Sequence, residues 1–307
     1  MIELPRQVDV VQAIGLIDEP VRLHVTPAAA DWAAAQLPWP ASDSLAADAP
    51  WLVVVGGGHL IDEAKALKAR SPALKLAVVP SLWGSGAEAS PVIVLDRGGR
   101  KDIQVLPQAV PDLIIWAPEL AASVPLARAS QACGDAWSHA LEAWLSPLAD
   151  DALRTDLATL IGTLCTLPLA PDPRWFMASA LACAGQARAS VGLVHGIAHE
   201  LEGPLSADST VGTWHHAKLC ASYLLPVMRH NASRSDKLVT LCGKHGLDPA
   251  LIWAKLGQLH DGQVYRQTLP ALSAHWRAVL RNPCSRTNCT LVNAGTLEFL
   301  LAFDAAA

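Results

Sequence analysis

The sequence predicts an α/β unit built on a parallel sheet, followed by an all-helical half, and three observations carry that reading. Over roughly the first 125 residues, short apolar runs end in glycine or proline turns. Between two of these runs, a Gly-rich turn opens a segment whose apolar residues have helical spacing. After about residue 122 the short runs stop, and long Ala/Leu-rich segments take over.

WLVVV (51–55) is apolar, largely β-branched, and ends in Gly56-Gly57-Gly58. His59 to Arg70 then suits a helix, and LAVVP (76–80) reads as the next strand. Strand, glycine turn, helix and strand make a βαβ unit, which requires a parallel sheet. PVIVLD (91–96) runs into Arg97-Gly98-Gly99, and PDLIIW (111–116) is followed by Ala117-Pro118; both read as further buried strands. Helices are predicted at about 127–146, 150–166, 174–202, 212–230, 233–245, 248–260 and 265–280, punctuated by Pro147, Pro168, Pro171, Pro173, Gly203-Pro204, Gly246 and Gly262. The terminal LEFLLAFDAAA is a last helix or a frayed tail. The expected division is residues 1–122 and 123–307.

Composition narrows the function. Apolar residues make up 51% of the 307 and charged residues 17%, against about 25% charged in an average soluble chain. This points to extensive burial or an assembling surface. The net charge of −5 argues against a nucleic-acid partner, which needs a basic face. No apolar run reaches the length of a membrane span, and MIELPRQVDVVQ lacks the basic start of a signal peptide. The seven cysteines are scattered, and the nearest pair, Cys284 and Cys289, has no second pair to complete a zinc site. Reduced thiols in a cytoplasm are expected. The eleven tryptophans have no functional explanation.

Five segments carry chemistry. GGGHLIDEAK (56–65) places glycines between a strand and a helix, where unpaired N–H groups and a positive dipole end favour a phosphate; a tight packing corner is the alternative. Asp62 and Lys65 lie near its first turn, where they also suit an ordinary ion pair. PSLWGSGAE (80–88) offers a second such turn at Gly84-Ser85-Gly86, on the edge where open α/β sheets bind ligands; a plain loop is the alternative. In GDAWSHALEAW (134–144), Asp135 and His139 share a helix face one turn apart. In VHGIAHE (194–200), His195 and His199 do the same on an apolar helix. Gly196 follows His195, so the segment is not the H-E-x-x-H of a zinc protease. TWHHAKLC adds His215 and His216. One carboxylate and three imidazoles from three helices suit Fe(II) or Zn(II), which polarises an alcohol or carbonyl oxygen.

Together these segments resemble the iron-containing (group III) alcohol dehydrogenase family, relatives of glycerol dehydrogenase and dehydroquinate synthase. The resemblance covers roughly residues 51–231. GGGHLIDEAK resembles the family's GGGS-x-x-D-x-A-K, and PSLWGSGAE its P-T-T-x-G-T-G-S-E. GDAWSHALEAWLS is similar to G-x-D-A-x-x-H-x-x-E-x-x-x-S, and GLVHGIAHELEG to G-x-x-H-x-x-x-H-x-x-G. KDIQVLPQAVPD has the spacing of the segment before the last strand of the family's N-terminal domain.

The resemblance implies a Rossmann-like dinucleotide-binding domain, an all-helical domain, and a metal between them. Asp135, His139 and His195 match three metal ligands. The fourth is His215 or His216, with the H-G-x-K-x-A register favouring His215. His199 is the expected proton relay, with a structural role next to the metal ligands as the alternative. NAD(P) is expected on Gly56, Gly57, Gly58, Asp62, Lys65, Ser81, Gly84, Ser85 and Lys101. The implied reaction is hydride transfer between an alcohol or aldehyde and NAD(P). A lyase or cyclase of the dehydroquinate-synthase kind, a phosphate- or phosphonate-substrate enzyme, and a non-catalytic homologue are the alternatives. The chain departs from the family in several places. The stretch before Gly56 is shorter by about one βαβ unit, His59 replaces the serine of GGGS, and Ala87 replaces the serine of GTGSE. Ala117-Pro118 replaces Asp-Pro, and the interval from His195 to the fourth ligand is long. A homo-oligomer is expected, with an interface before about Trp51.

Overall fold

The computed structural model describes residues 2–98, 101–207 and 214–304. Five parallel strands form its main sheet: β1 (Arg6–Asp9), β2 (Val21–Val25), β3 (Trp51–Gly56), β4 (Lys75–Pro80) and β7 (Leu113–Trp116), in the order β1-β7-β4-β3-β2. The helices α1 (Val10–Leu16), α2 (Ala30–Gln36) and α3 (Gly58–Arg70) fall between strands. Every residue of β3 is buried, because both faces of the sheet are covered. Leu52 and Val54 pack with Leu60, Ile61 and Ala64 of α3. Val53 and Val55 point the other way, into the large core shared with the helical half. Because the strands are parallel, their carboxyl ends (Gly56, Pro80 and Trp116) share one edge.

The expected α/β unit and helical remainder are both present. Two parts of the chain differ from expectation. The run at 91–96 is not in the parallel sheet. β5 (Val92–Asp96) pairs antiparallel with β6 (Lys101–Val105) in a separate ribbon. The helix expected over 174–202 is two helices, α6 (Arg174–Ala189) and α7 (Leu193–Ala207), broken at Ser190, whose φ of 63° is left-handed.

The helical half runs α4 (Leu126–Leu145), α5 (Asp151–Thr166), α6, α7, α8 (His216–Arg234), α9 (Lys237–His245), α10 (Pro249–Leu259), α11 (Gly262–Arg281), α12 (Pro283–Arg286) and α13 (Ala294–Ala302). α4 is the central element. It is buried without interruption from Ala132 to Leu145 and packs against α5, α6 and α8, as a helix apolar on all sides must. Among the described residues, no helix is long and apolar enough to cross a membrane.

Candidate metal centre and nucleotide edge

α4 meets α8 at Gly134. A Cβ there would lie 2.4 Å from the Cβ of Ala221 and 2.7 Å from its Cα, so only glycine lets the two backbones approach this closely. The crossing brings Asp135, the next residue on α4, against His216 and Cys220 of α8. α7 supplies His195 from a third direction.

Asp135 Oδ1 is the hub of the cluster. It lies 3.6 Å from His195 Nε2, 3.6 Å from His216 Nε2 and 3.8 Å from His139 Nδ1. Cys220 Sγ is 3.4 Å from His216 Nε2. One donor atom each from Asp135, His195, His216 and Cys220 lie within 4.8 Å of one another. Asp135 Oδ1 and His195 Nε2 are buried and lack a hydrogen-bond partner. Buried polar atoms are nearly always satisfied, so two facing orphans among nitrogen and sulfur donors fit a divalent transition metal.

The groups of the cluster shift one another in both directions. Burial pushes the Asp135 carboxyl up, but the surrounding imidazoles of His139, His216 and His195 outweigh it and hold the group far below the usual carboxylate range. Burial lowers His139 to about 4 and His216 to about 3, leaving neutral rings with free lone pairs. Burial also drives His199 well down. His195 runs the other way: its burial is outweighed by Asp135 and Glu142, which raise it to about 9. Burial, with Asp135 and Glu142 nearby, keeps the Cys220 thiol well above its ordinary value.

His215 is not among these donors. It is the N-cap of α8, and its Nδ1 accepts the backbone N–H of Lys218 at 3.2 Å. The expectation that His215 rather than His216 faces Asp135 is therefore corrected. As N-cap, His215 spends its Nδ1 on the helix's own N–H, while His216, the first helical residue, places its Nε2 3.6 Å from Asp135 Oδ1. His139 lies beside the group, its ring centroid 4.4 Å from that of His195. Its Nδ1 is 3.2 Å from the Gly84 carbonyl oxygen, to which it donates. His199 stacks on His216, with ring centroids 5.1 Å apart.

Two participants lie outside the expected site residues. Cys220 is one helical turn beyond His216, and that spacing was its signal. Glu142 accepts the Nδ1–H of His195 at 2.6 Å and the N–H of Val194 at 2.6 Å. Its signal was a carboxylate three residues after His139, on the same helix face.

The two glycine turns lie together at the carboxyl edge of the sheet. A Cβ on Gly58 would meet Ser85 Oγ at 2.2 Å, while Gly57 faces open space apart from Leu82. Ser81 continues the edge by donating its N–H to Gly56 O. Gly84, with φ of 110°, packs on Ala132 of α4 and receives the His139 hydrogen bond, so this turn touches the metal cluster directly. His59 is mostly exposed and lies 3.6 Å from Glu63, leaving the turn clear.

Asp62 and Lys65 do not face this edge. Lys65 is fully buried, and its three protons go to Asp62 Oδ1, the Ala87 carbonyl and the Val92 carbonyl. Asp62 Oδ2 takes the Val94 N–H. The pair therefore ties α3 to the Ala87–Ala89 turn and β5, with no proton left for a phosphate, and its assignment to the cofactor is corrected. Lys101 of β6 is 3.1 Å from Glu202 of α7, and Glu202 lies 4.0 Å from His216 Nδ1. Lys101 thus borders the metal cluster.

Residues 42–118 match the family of iron-containing alcohol dehydrogenases. Over 289 aligned residues the chain is 32% identical to the 1-propanol dehydrogenase PduQ of Salmonella typhimurium, covering 80% of this chain and 75% of the relative. The fold is similar to that of an iron-containing alcohol dehydrogenase from Corynebacterium glutamicum, with TM-score 0.79 and 21% identity over 97% of this chain and 94% of that one. It is also similar to that of the sulfoacetaldehyde reductase of Bifidobacterium kashiwanohense, solved in complex with NAD+, with TM-score 0.75 and 15% identity over 99% of both chains.

Proposed function

The chain belongs to the iron-containing alcohol dehydrogenase family and is an oxidoreductase of alcohols or aldehydes; from that premise we propose that it is a metal-dependent, NAD(P)-linked alcohol dehydrogenase that reduces an aldehyde in the reverse direction. One observation carries the reading. The orphaned Asp135 Oδ1 and His195 Nε2, with His216 beside them, sit one hydrogen bond from the Gly84 turn through His139. A metal site and a dinucleotide edge are thereby held in contact, as hydride transfer next to a polarised oxygen requires.

Asp135, His195 and His216 would hold the metal, with His139 and Cys220 beside them. When bound, the metal would supply Lewis acidity towards the substrate oxygen, and the nicotinamide would supply the hydride chemistry. The chain's own residues do the rest. Glu142 holds His195 with Nε2 turned towards Asp135. His139 fixes the distance from the metal cluster to the nucleotide edge. The backbone N–H groups of Gly57, Gly58 and the first turn of α3 receive phosphate, with Ser81 and Ser85 alongside. His199, kept neutral by burial, takes the proton that leaves the alcohol and returns it in reduction. Lys101, balanced by Glu202, borders the cluster.

The seven unpaired thiols support a reducing cytoplasm. Exposed Val11, Ile14 and Leu16 on α1, next to the edge strand β1, support a homo-oligomer. The test is elemental analysis of the purified protein combined with titration of NADH and NADPH. Bound metal and binding of one of the two nucleotides are expected, with aldehyde-dependent oxidation of that nucleotide. Metal without nucleotide binding at millimolar concentration would overturn the dehydrogenase reading.

A further inference from the structure

We propose that Cys220 is itself a metal ligand, making an Asp135–His195–His216–Cys220 centre that selects zinc over iron(II). The proposal rests on the metal-centre reading above and adds a donor and a metal to it. A tetrahedral ion with N and O ligands at about 2.0–2.2 Å and sulfur at about 2.3 Å sets its ligand atoms about 3.3–3.6 Å apart. Three of the six donor pairs have this spacing: His216 Nε2 to Cys220 Sγ is 3.4 Å, and His195 Nε2 and His216 Nε2 are each 3.6 Å from Asp135 Oδ1, with all four atoms within 4.8 Å of one another. The two orphaned atoms, Asp135 Oδ1 and His195 Nε2, belong to the same group.

Cys220 cannot easily swing away. It is fully buried, one turn after His216 on α8, and its neighbour Ala221 is the residue pressed against Gly134. His139 lies outside this set of mutually close donor atoms: its Nδ1 is 3.8 Å from Asp135 Oδ1 and faces Gly84 O at 3.2 Å. A buried cysteine usually acts as a small apolar filler. This one instead presents its sulfur to the Nε2 of a candidate ligand. On coordination the Sγ–H bond breaks, the proton leaves to solvent, and a sulfur lone pair forms the bond to the metal; no electrons are transferred. A thiolate added to imidazole and carboxylate softens the site towards zinc, which the intrinsic affinity order already favours over iron(II).

The test uses the full-length protein, stripped with chelator and loaded anaerobically with Co(II). The wild type should show visible ligand-field bands together with a near-ultraviolet sulfur-to-cobalt charge-transfer band. Cys220→Ser should keep the first and lose the second. In competition between equimolar Fe(II) and Zn(II), the zinc-to-iron ratio bound should fall roughly tenfold or more in Cys220→Ser, a change no smaller than losing an outer-shell partner causes. Ligand-field bands without charge transfer in the wild type would overturn the thiolate and leave the metal centre standing. Charge transfer that persists in Cys220→Ser would assign the sulfur elsewhere and overturn the proposal. Failure of the wild type to bind cobalt at all would remove the centre and the proposal with it. If Cys220→Ser does not fold, X-ray absorption on the zinc-loaded wild type decides. A sulfur neighbour at about 2.3 Å supports the assignment, and a shell of only N and O overturns it.

Discussion

His195 donates its Nδ1–H to Glu142 Oε2 at 2.6 Å, and the same carboxylate accepts the backbone N–H of Val194 at 2.6 Å. One side chain on α4 thus fixes the tautomer of a donor on α7 and satisfies an otherwise unpaired N–H in the first turn of that helix. A Glu142→Gln variant keeps an oxygen for Val194 but turns an amide N–H₂ towards Nδ1 and removes the charge. Its zinc affinity, read by competition with a chromophoric chelator, should fall about 10–100-fold while the circular dichroism spectrum stays unchanged. An affinity equal to the wild type would remove Glu142 from the centre.

His215 and His216 are adjacent in sequence and separate in role. His215 caps α8, whereas His216 Nε2 lies 3.6 Å from Asp135. His216→Ala should abolish stoichiometric metal binding. His215→Ala should retain the metal and lose about 1 kcal/mol or less of stability, the scale of a helix cap, read by denaturant unfolding. The opposite pattern would restore His215 as the ligand.

The α4 donors were legible because both lie on one helix, where a spacing of one turn is itself geometric information. The choice between His215 and His216 was not. It depends on where α8 starts, and a helix start uncertain by one residue rotates every side chain by about 100°. Glu142 was not singled out, since its partner His195 lies on another helix. The βαβ unit of β3, α3 and β4 was readable from fully apolar strands around a glycine turn. β1 and β2 were missed because RQVD and VRLHV are edge strands in which only Val8 and Leu23 are buried. The apolar run of β5 announces a strand without saying which sheet it joins. Only its pairing with β6, a segment too polar to register, settles that. Asp62 and Lys65 show the same limit. Two charges one turn apart look alike whether they face a ligand or a buried corner.

Glu88 carries the pH dependence most open to test. It is buried, its Oε1 has no hydrogen-bond partner, and burial raises its carboxyl to about 7 from an ordinary 4.5. The folded state therefore holds this proton more tightly than the unfolded chain does. The stability associated with the protonated form is complete below about pH 4.5 and is lost as pH rises through about 7. The shift corresponds to about 3 kcal/mol. Glu88→Gln stays neutral throughout, so its stability relative to the chelator-stripped wild type should increase by roughly that amount between pH 4.5 and 8. Parallel unfolding free energies for the two proteins across this range would show that Glu88 is not held protonated.

Assembly is the last consequence. β1 is an outer strand of the parallel sheet, and α1, which follows it directly, exposes Val11 to 79%, Ile14 to 37% and Leu16 to 38%. An uncovered strand edge flanked by an apolar helix face tends to pair with a second copy, because both the backbone groups and the apolar surface gain partners. The wild type should therefore scatter light at a multiple of the single-chain mass of 32.4 kDa at micromolar concentration. Val11→Lys combined with Ile14→Lys puts two like charges on that face, and self-association would then bring them together across the contact. The double variant should shift to the single-chain mass with its metal content unchanged, since α1 contributes no donor to the centre. A wild type that already scatters as one chain would refute the assembly. A double variant that stays oligomeric would move the interface away from α1, where the β5–β6 ribbon, with Ile103 and Val105 exposed, is the next apolar face to test.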